Sequence, residues 1–175
     1  MHKTNFTAPI LGALLFAAGT AGAFAASSSH IEAIDMAKTT LVQAIETAEE
    51  QGHGKAIEAD FDADANPARY EIKVLSQNAL VAYTLDADTG KVVDTADQPI
   101  EKLFTILTPA NVRAAPTSLG QAIGIAEEHT GGKAYEAEVD RDGKIVSYDV
   151  TVARADGSKR DVAVDGASGK VTSVK

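Results

Sequence analysis

Apolar and polar side chains follow two periods along this chain, first a helical period and then an alternating one. Leu41, Ala44, Ile45 and Ala48 have the spacing of one helix face, and segments that alternate apolar and polar residues follow them. Strict alternation predicts antiparallel strands with one buried and one solvated face. The pattern therefore predicts an α+β unit in which an N-terminal helix packs on an antiparallel sheet of three or four strands.

The same succession of periods occurs twice, because part of the sequence is duplicated. Segment 40–62 reappears 78 residues later as segment 118–140, with thirteen of its 23 positions identical. Self-similarity at a fixed spacing is typical of duplicated structural units. We therefore predict two tandem repeats, repeat 1 at 30–95 and repeat 2 at 117–175, joined by a linker at 96–116.

Local signals indicate where the helices begin and end. Thr40 and Ser118 are each followed three residues later by glutamine, which is the spacing of a capping box. Glycines follow both helices and can adopt the left-handed conformation that ends a helix. In repeat 1 the apolar stripe also continues backwards through Ile31 and Ile34, which predicts that its helix starts near His30.

The linker has helix signals of its own. Asp97 can cap a helix, Pro99 fits a first turn, and apolar residues recur with helical spacing at 100, 103, 104 and 107. Pro109 is expected to end this helix. The pattern predicts a short helix that packs on one repeat or between both.

Residues 1–25 have the layout of a secretory signal peptide. Lys3 provides a basic start, 10–18 is an apolar run interrupted by one glycine, and Ala23 and Ala25 place small residues before a cleavage site. The apolar run is too short for a typical membrane span. The protein is therefore expected in the periplasm or secreted, after cleavage between Ala25 and Ala26.

Charge and cysteine content exclude several classes of partner. Without residues 1–25, which include one lysine and no acid, the chain has 15 Lys and Arg against 25 Asp and Glu, a net charge of −10. Nucleic acid and anionic lipid are poor partners for such a surface, because both require clustered positive charge. The absence of cysteine from the sequence rules out a disulfide or a lipoprotein anchor, so no membrane anchor is expected.

Acidic residues at two hairpins have a spacing similar to that of an EF-hand calcium loop, which needs oxygen ligands at positions 1, 3, 5 and 12. Ala65 at position 6, Pro67 at position 8 and flanking strands instead of helices count against this interpretation. The alternative is that the carboxylates simply alternate outward along strands and form turns. No metal site is assigned, and the candidate ligands are Asp60, Asp62, Asp64 and Glu71 in repeat 1 and Glu138, Asp140, Asp142 and Asp149 in repeat 2.

Other chemistry has little support in the sequence. His30, His53 and His129 are isolated, there is no cysteine, and no G-x-S-x-G motif occurs. We therefore expect no catalytic residues, no cofactor and no enzymatic activity. The equivalent tyrosines Tyr70 and Tyr148 are expected at the edge of the core with their hydroxyl groups outward.

Four motifs in fixed order resemble the PepSY domain. They are S-L-x-Q-A-I-x-x-A near the start, Gly-Gly-Lys after the helix, a Tyr-x-Val/Ile-x-Val strand and a closing D-x-x-x-G-K-V, and both copies contain them with Thr40 and Gly-His-Gly-Lys as variants in repeat 1. PepSY domains occur in propeptides of thermolysin-type metallopeptidases and in exported bacterial proteins. The resemblance implies a helix on an antiparallel sheet and a role in restraining peptidases or in local regulation outside the cytoplasm. It implies no catalytic residues.

Taken together, these features favour a non-catalytic exported protein that binds another exported protein, such as a peptidase, and modulates or inhibits it. Two alternatives stay open. One is weak binding of a cation or small ligand by the acidic hairpins, and the other is a self-associating structural module. The sequence does not define the partner, the oligomeric state or the orientation of the repeats.

The signal-peptide interpretation predicts that the mature protein begins at Ala26, because Ala23 and Ala25 occupy the −3 and −1 positions. Intact-mass spectrometry of the exported protein measures this directly. Retention of residues 1–25 in the exported fraction would contradict the prediction.

Overall fold

Helices and strands alternate in the same order in both repeats. The structure is a computed structural model and describes residues 28–77, 79–99, 108–140 and 145–175. Among the described helices, none has the length and apolarity needed to cross a membrane. The elements are α1 (Ser28–Met36), α2 (Leu41–Gly52), β1 (Lys55–Asp62), β2 (Arg69–Leu75), β3 (Leu80–Asp86), β4 (Val92–Gln98), α3 (Pro109–Ala114), α4 (Leu119–Thr130), β5 (Lys133–Val139), β6 (Ser147–Ala153), β7 (Lys159–Asp165) and β8 (Val171–Val174).

All eight of these strands belong to one antiparallel sheet, in the order β4-β3-β2-β1-β5-β6-β7-β8. The α+β class is confirmed, but the separate sheet expected for each repeat is not what the structure contains. β1 and β5 pair directly, with Ala59 opposite Ala137 at the centre of the pairing. This pairing satisfies backbone groups that would otherwise form an open edge on the first strand of each repeat. We call this β1–β5 pairing the junction.

Helices α2 and α4 pack on the same face of the sheet. α2 contacts β1, β2 and β3, while α4 contacts β5, β6, β7 and also β1 of the other repeat. The apolar stripes of both helices are buried, and so are the apolar positions of the strands beneath them. The predicted facing of helices and strands is therefore confirmed, and one continuous core spans both repeats.

The predicted capping boxes are present at both main helices. The Thr40 hydroxyl accepts from the Gln43 backbone N–H, and the Gln43 side chain accepts from the Thr40 N–H; Ser118 and Gln121 do the same for α4. The expected left-handed glycine ends α4 at Gly131, where φ is 70°.

The end of α2 differs, because its left-handed residue is His53, with a φ of 47°. The expectation of a left-handed glycine was wrong in repeat 1. Gly52 and Gly54 are instead required by close packing. A Cβ on Gly52 would lie 2.8 Å from a Val74 methyl, and a Cβ on Gly54 would lie 2.5 Å from the Leu75 carbonyl oxygen.

Repeat 1 does not begin with one long helix. α1 ends at Met36 and α2 starts at Leu41, so the continuous helix predicted from Ile31 and Ile34 is two helices. The break is held by backbone hydrogen bonding, since the Thr39 N–H donates to the Ala87 carbonyl. A helix could not continue through a residue that is bonded to a neighbouring turn in this way.

The two equivalent tyrosines anchor the segment in front of each main helix. The Tyr70 hydroxyl donates to the Thr39 carbonyl, and the Tyr148 hydroxyl donates to the Thr117 carbonyl. Both side chains are buried, so the expectation of outward hydroxyls was wrong. Burial raises the pKa of Tyr70 and of Tyr148 to about 12.

The linker also differs from its prediction. β4 extends to Gln98, so Asp97 is a strand residue and not a helix cap. Pro109 begins α3 instead of ending a helix, and Thr108 and Asn111 form a capping box there. Proline suits this position because its missing N–H is not needed in a first turn. The helix predicted across positions 100–107 lies outside the described residues.

The two short helices are exchanged between the repeats. α1 precedes repeat 1 but packs at repeat 2, where Asp35 forms an ion pair with Lys133 at 2.8 Å. α3 precedes repeat 2 but packs at repeat 1, where the Arg113 Nη1 donates to the Ser76 carbonyl at 3.1 Å. Asp35 and Arg113 are 78 positions apart, the spacing of the duplication. The duplicated unit therefore includes a preceding short helix that covers the other copy.

We predict that Ile123→Ala lowers the free energy of unfolding by about 2–5 kcal/mol, the range for truncating a buried aliphatic side chain. Ile123 is 0% exposed on the sheet-facing side of α4. The control is Gly124→Ala next to it, where a new Cβ meets nothing within 4 Å. That variant should gain up to about 1 kcal/mol from helix propensity. Urea unfolding of both variants measures the difference, and an unchanged midpoint for Ile123→Ala would contradict the packing.

Candidate functional site

The sheet face opposite α2 and α4 has a central group of carboxylates. Polar residues alternate with the buried residues on each strand, so they project to the face that these helices leave open. The two central strands, β1 and β5, supply acidic residues at most of these positions, and β2 and β6 supply one each. We call this group the acidic face, and its residues are Glu58 and Asp60 on β1, Glu71 on β2, Glu136 and Glu138 on β5, and Asp149 on β6.

Strand register places these carboxylates opposite one another. At the junction, Glu58 lies opposite Glu138 and Asp60 lies opposite Glu136. Asp60 is also opposite Glu71 on its other side. Like charges directly across from each other on paired strands are destabilising. Both open-face pairs of the junction therefore oppose the pairing that joins the repeats.

Lys73 on β2 reduces this repulsion on the repeat 1 side. Lys73 forms an ion pair with Glu58, and both side chains are mostly shielded from solvent. The position of Lys73 is taken by Thr151 in repeat 2, where the hydroxyl lies 3.4 Å from a Glu136 oxygen. In repeat 2 the positive charge near Glu136 comes instead from Lys159 on β7, which favours the ionised carboxylate and so partly opposes the rise in its pKa.

Burial and crowding raise the pKa values of the central carboxyl groups. The pKa of Asp60 rises from 3.8 to about 7, mainly because burial disfavours its charged form and secondarily because Glu58 and Glu136 repel that charge. Burial also raises the pKa of Glu136, with a further contribution from Glu138. The pKa of Asp149 is raised for the same first reason. The acidic face therefore gains negative charge as the pH rises through neutrality.

The structure separates the candidate calcium ligands of repeat 1. Asp60 and Glu71 are on the acidic face, but Asp62 accepts hydrogen bonds from the backbone N–H groups of Asp64 and Ala65 in its own loop. A carboxylate used in this way stabilises a turn. The candidate calcium ligands of repeat 1 are thus divided between a sheet face and a loop.

In repeat 2 the candidates are divided in the same way. Glu138 and Asp149 lie opposite each other on the acidic face, and the Ser147 hydroxyl lies 3.4 Å from an Asp140 oxygen. Asp142 lies outside the described residues. Within 28–77, 79–99, 108–140 and 145–175, no three His, Asp or Glu side chains are grouped so that they could hold a metal ion.

Sequence reasoning missed Glu58, Glu136 and Lys73 as members of the site. Each lies two positions from a candidate ligand on the same strand, namely Asp60, Glu138 or Glu71. Alternation alone therefore places each of them on the same face as that ligand. The missing information was the β1–β5 pairing, which brings the acids of both repeats together. No local signal in either strand specifies that partner.

Sequence comparison identifies both repeats. The family model described as Peptidase propeptide and YPEB domain, PepSY, matches residues 38–96 and again residues 117–175, which together make up more than half of the chain. No curated protein matches the sequence. Among solved structures, the chain is similar to the crystal structure of a protein described as a lipoprotein from Clostridium difficile, with 20% identity, a TM-score of 0.48, and coverage of 79% of this chain and 93% of that chain.

We predict that Asp60→Asn stabilises the protein at pH 8 and that this gain disappears towards pH 4. The folded-state pKa is raised to about 7 from 3.8, so the folding cost of this charge builds up between about pH 4 and pH 7, is complete above pH 7 and is absent below the unfolded value. At about 1.4 kcal/mol per pKa unit the upper limit is about 4 kcal/mol, and we expect about 1–2 kcal/mol after solvent screening.

Urea unfolding at pH 4, 6 and 8 measures this effect as the difference between variant and wild type. The pKa values of Asp86 and Asp165 are lowered by hydrogen bonds within their turns, so these groups change stability with pH in the opposite direction. Their contribution is the same in variant and wild type and cancels in the difference. Glu50→Gln, on the exposed surface of α2, is the control that removes one negative charge elsewhere. A gain that is the same at all three pH values, or that equals the gain of Glu50→Gln, would contradict the prediction.

Proposed function

The chain belongs to the PepSY family, and from this we propose that it is a non-catalytic exported protein that binds another exported protein through its acidic face. We further propose that the partner is a peptidase whose activity the bound protein modulates or inhibits. The family description, Peptidase propeptide and YPEB domain, supports a peptidase as partner. The signal-peptide pattern of residues 1–25 supports export to the periplasm or the medium.

The observation that carries the proposal is the composition of the acidic face. Six carboxylates from four neighbouring strands surround the junction, and Lys73 forms an ion pair with Glu58. The arrangement costs stability, because like charges oppose each other across the strands. Such a cost is typical of a surface selected for binding and not for folding.

Electrostatics indicate the chemistry of the partner. A surface with one dominant sign of charge steers an oppositely charged partner and fixes its orientation on docking. The complementary surface is therefore basic, with lysine or arginine side chains spaced to reach the carboxylates of β1 and β5. Binding of such a surface would also relieve the repulsion at the junction and stabilise the pairing of the repeats.

An outer strand supplies a second kind of contact. β4 is seven residues long and mostly exposed, and its Val93 side chain is 55% accessible to solvent. The backbone groups on the free edge of an outer strand can pair with an extended peptide. We propose that this edge supports the interaction with the same partner, while the acidic face determines its specificity.

We predict that neutralising the centre of the acidic face abolishes capture of the partner. The variant is Glu58→Gln/Asp60→Asn/Glu136→Gln/Glu138→Gln, which keeps side-chain size and removes the junction charges. The mature wild-type protein and this variant are immobilised and exposed to periplasmic extract or spent medium at low and high salt. A partner specific to the wild type, bound more weakly at high salt, is the expected result, since screening weakens contacts between exposed charges.

The control variant removes four negative charges from exposed positions away from this face, by changing Glu46, Glu50 and Glu128 to glutamine and Asp88 to asparagine. It should bind like the wild type. Captured peptidases are then assayed for hydrolysis of a fluorogenic protein substrate with each variant added. Equal capture by all three proteins would contradict the role of the acidic face, whereas specific capture of a partner without peptidase activity would contradict only its assignment as a peptidase.

A further inference from the structure

A small cavity at the outer end of repeat 2 is lined by cationic side chains. It has a volume of about 270 Å³ and lies between the last turn of α4, the residue after β6 and the start of β7. We call it the end pocket. Its lining residues are His129, Thr130, Arg154, Arg160 and Val174.

The corresponding lining positions in repeat 1 carry uncharged side chains. Arg154 corresponds to Ser76 at the 78-residue spacing, and Arg160, which pairs with Val152 on β6, corresponds to Val81, which pairs with Val74 on β2. His129 corresponds to the neutral Gln51. Since both repeats have the same backbone arrangement here, the fold does not require arginine at either position.

The two repeats also fill this region differently. In repeat 1 the ring of Tyr83 reaches the end of α2, and its hydroxyl oxygen would lie 3.1 Å from a Cβ placed on Gly52. The residue aligned with Tyr83 is Val162, which is much shorter. Gly52 in turn corresponds to Thr130, so repeat 2 has a threonine and a valine next to the end pocket where repeat 1 has a glycine and a tyrosine.

The guanidinium groups keep donors for a further ligand. Arg160 Nη1 donates to the Lys159 carbonyl at 2.8 Å, and Arg154 Nη1 lies 3.7 Å from an Asp156 oxygen. Each guanidinium has five N–H donors in a fixed fork. These described contacts engage only part of that capacity.

The nearby acids are already committed to other contacts. Asp156 accepts from the backbone N–H and the hydroxyl of Ser158, at 2.9 and 2.6 Å, and these bonds hold its pKa below the usual value. Asp161 lies 3.6 Å from Lys159. An incoming anion would therefore share the two arginines with Asp156, whose oxygens face its own turn.

The same end of the repeat already binds one carboxylate of the chain. Lys133 forms its ion pair with Asp35 of α1, and Lys133 and Arg154 line a second cavity of about 300 Å³ next to that helix. Four cations, Lys133, Arg154, Lys159 and Arg160, are thus gathered at one end of a chain whose net charge is −9.

We propose that the end pocket binds an oxyanion, either a phosphate or a carboxylate group of a small ligand or peptide. The fork of a guanidinium matches the oxygen spacing of both groups and can bind them through two parallel hydrogen bonds. His129, which also lines the end pocket, adds an imidazole N–H donor. The inference does not depend on the function proposed for the acidic face, because it rests on two arginines at the outer end of repeat 2.

The test is a titration of the ¹⁵N-labelled mature protein with sodium phosphate and, separately, with sodium acetate, against sodium chloride at equal ionic strength. Saturable shifts of backbone signals around Arg154 and Arg160, in the millimolar range, are expected with at least one oxyanion. Preference between phosphate and acetate distinguishes the two ligand chemistries. Shifts that are equal with chloride, or that are spread over all cations, would overturn the proposal.

The variant Arg154→Ser/Arg160→Val installs the residues that repeat 1 has at these positions, so it is expected to fold. It should weaken oxyanion binding by at least about tenfold, since hydrogen bonds to a charged group are lost. Lys38→Gln/Lys91→Gln also removes two positive charges, from exposed positions in repeat 1, and should leave binding unchanged. Equal loss in both variants would show a general charge effect and overturn the assignment, and thermal unfolding of each variant verifies that it is folded.

Discussion

The pairing of β1 with β5 is the interaction on which the rest of the structure depends. Ala59 and Ala137 are fully buried at its centre beneath the helices, and this fixes which residues face the other way. Because side chains alternate along a strand, a register that buries the alanines must place Glu58 opposite Glu138 and Asp60 opposite Glu136. The acidic face is therefore a direct result of the contact that unites the repeats. Burial at this face, and then repulsion from Glu58 and Glu136, raises the pKa of Asp60.

The two repeats share a scaffold and differ where it meets solvent. Capping boxes, buried tyrosines and turn contacts recur at equivalent positions. The differences are Lys73 against Thr151 on the acidic face, and Ser76 against Arg154 at the outer ends. The residues that cap and anchor the main helices at their N-terminal ends are thus duplicated, while residues that determine surface charge have diverged. Such a division is expected when function depends on sites placed on a common fold.

Much of each repeat could be predicted from the sequence because its signals are local. Helical spacing, strand alternation and the Ser118–Gln121 capping box depend on residues close in the chain. The junction could not be predicted, since backbone hydrogen bonds between β1 and β5 leave no mark on side-chain pattern. The break before α2 was missed for a similar reason, as it depends on Thr39 bonding to the distant Ala87. For the acidic face, alternation predicts which residues face outward on each strand. The pairing of β1 with β5, which brings the residues of both repeats together, could not be predicted.

The exchange of α1 and α3 makes each half of the chain structurally incomplete by itself. A polypeptide with one repeat could bury the same surfaces only as a two-fold symmetric dimer. In that dimer the first strands of the two copies would pair, and each copy would pack its short helix on the other. Its assembly would then depend on concentration. Covalent fusion of the two repeats makes their association intramolecular, so it no longer depends on protein concentration. It also releases the halves from identical sequence, so that one protein can present two chemically different ends.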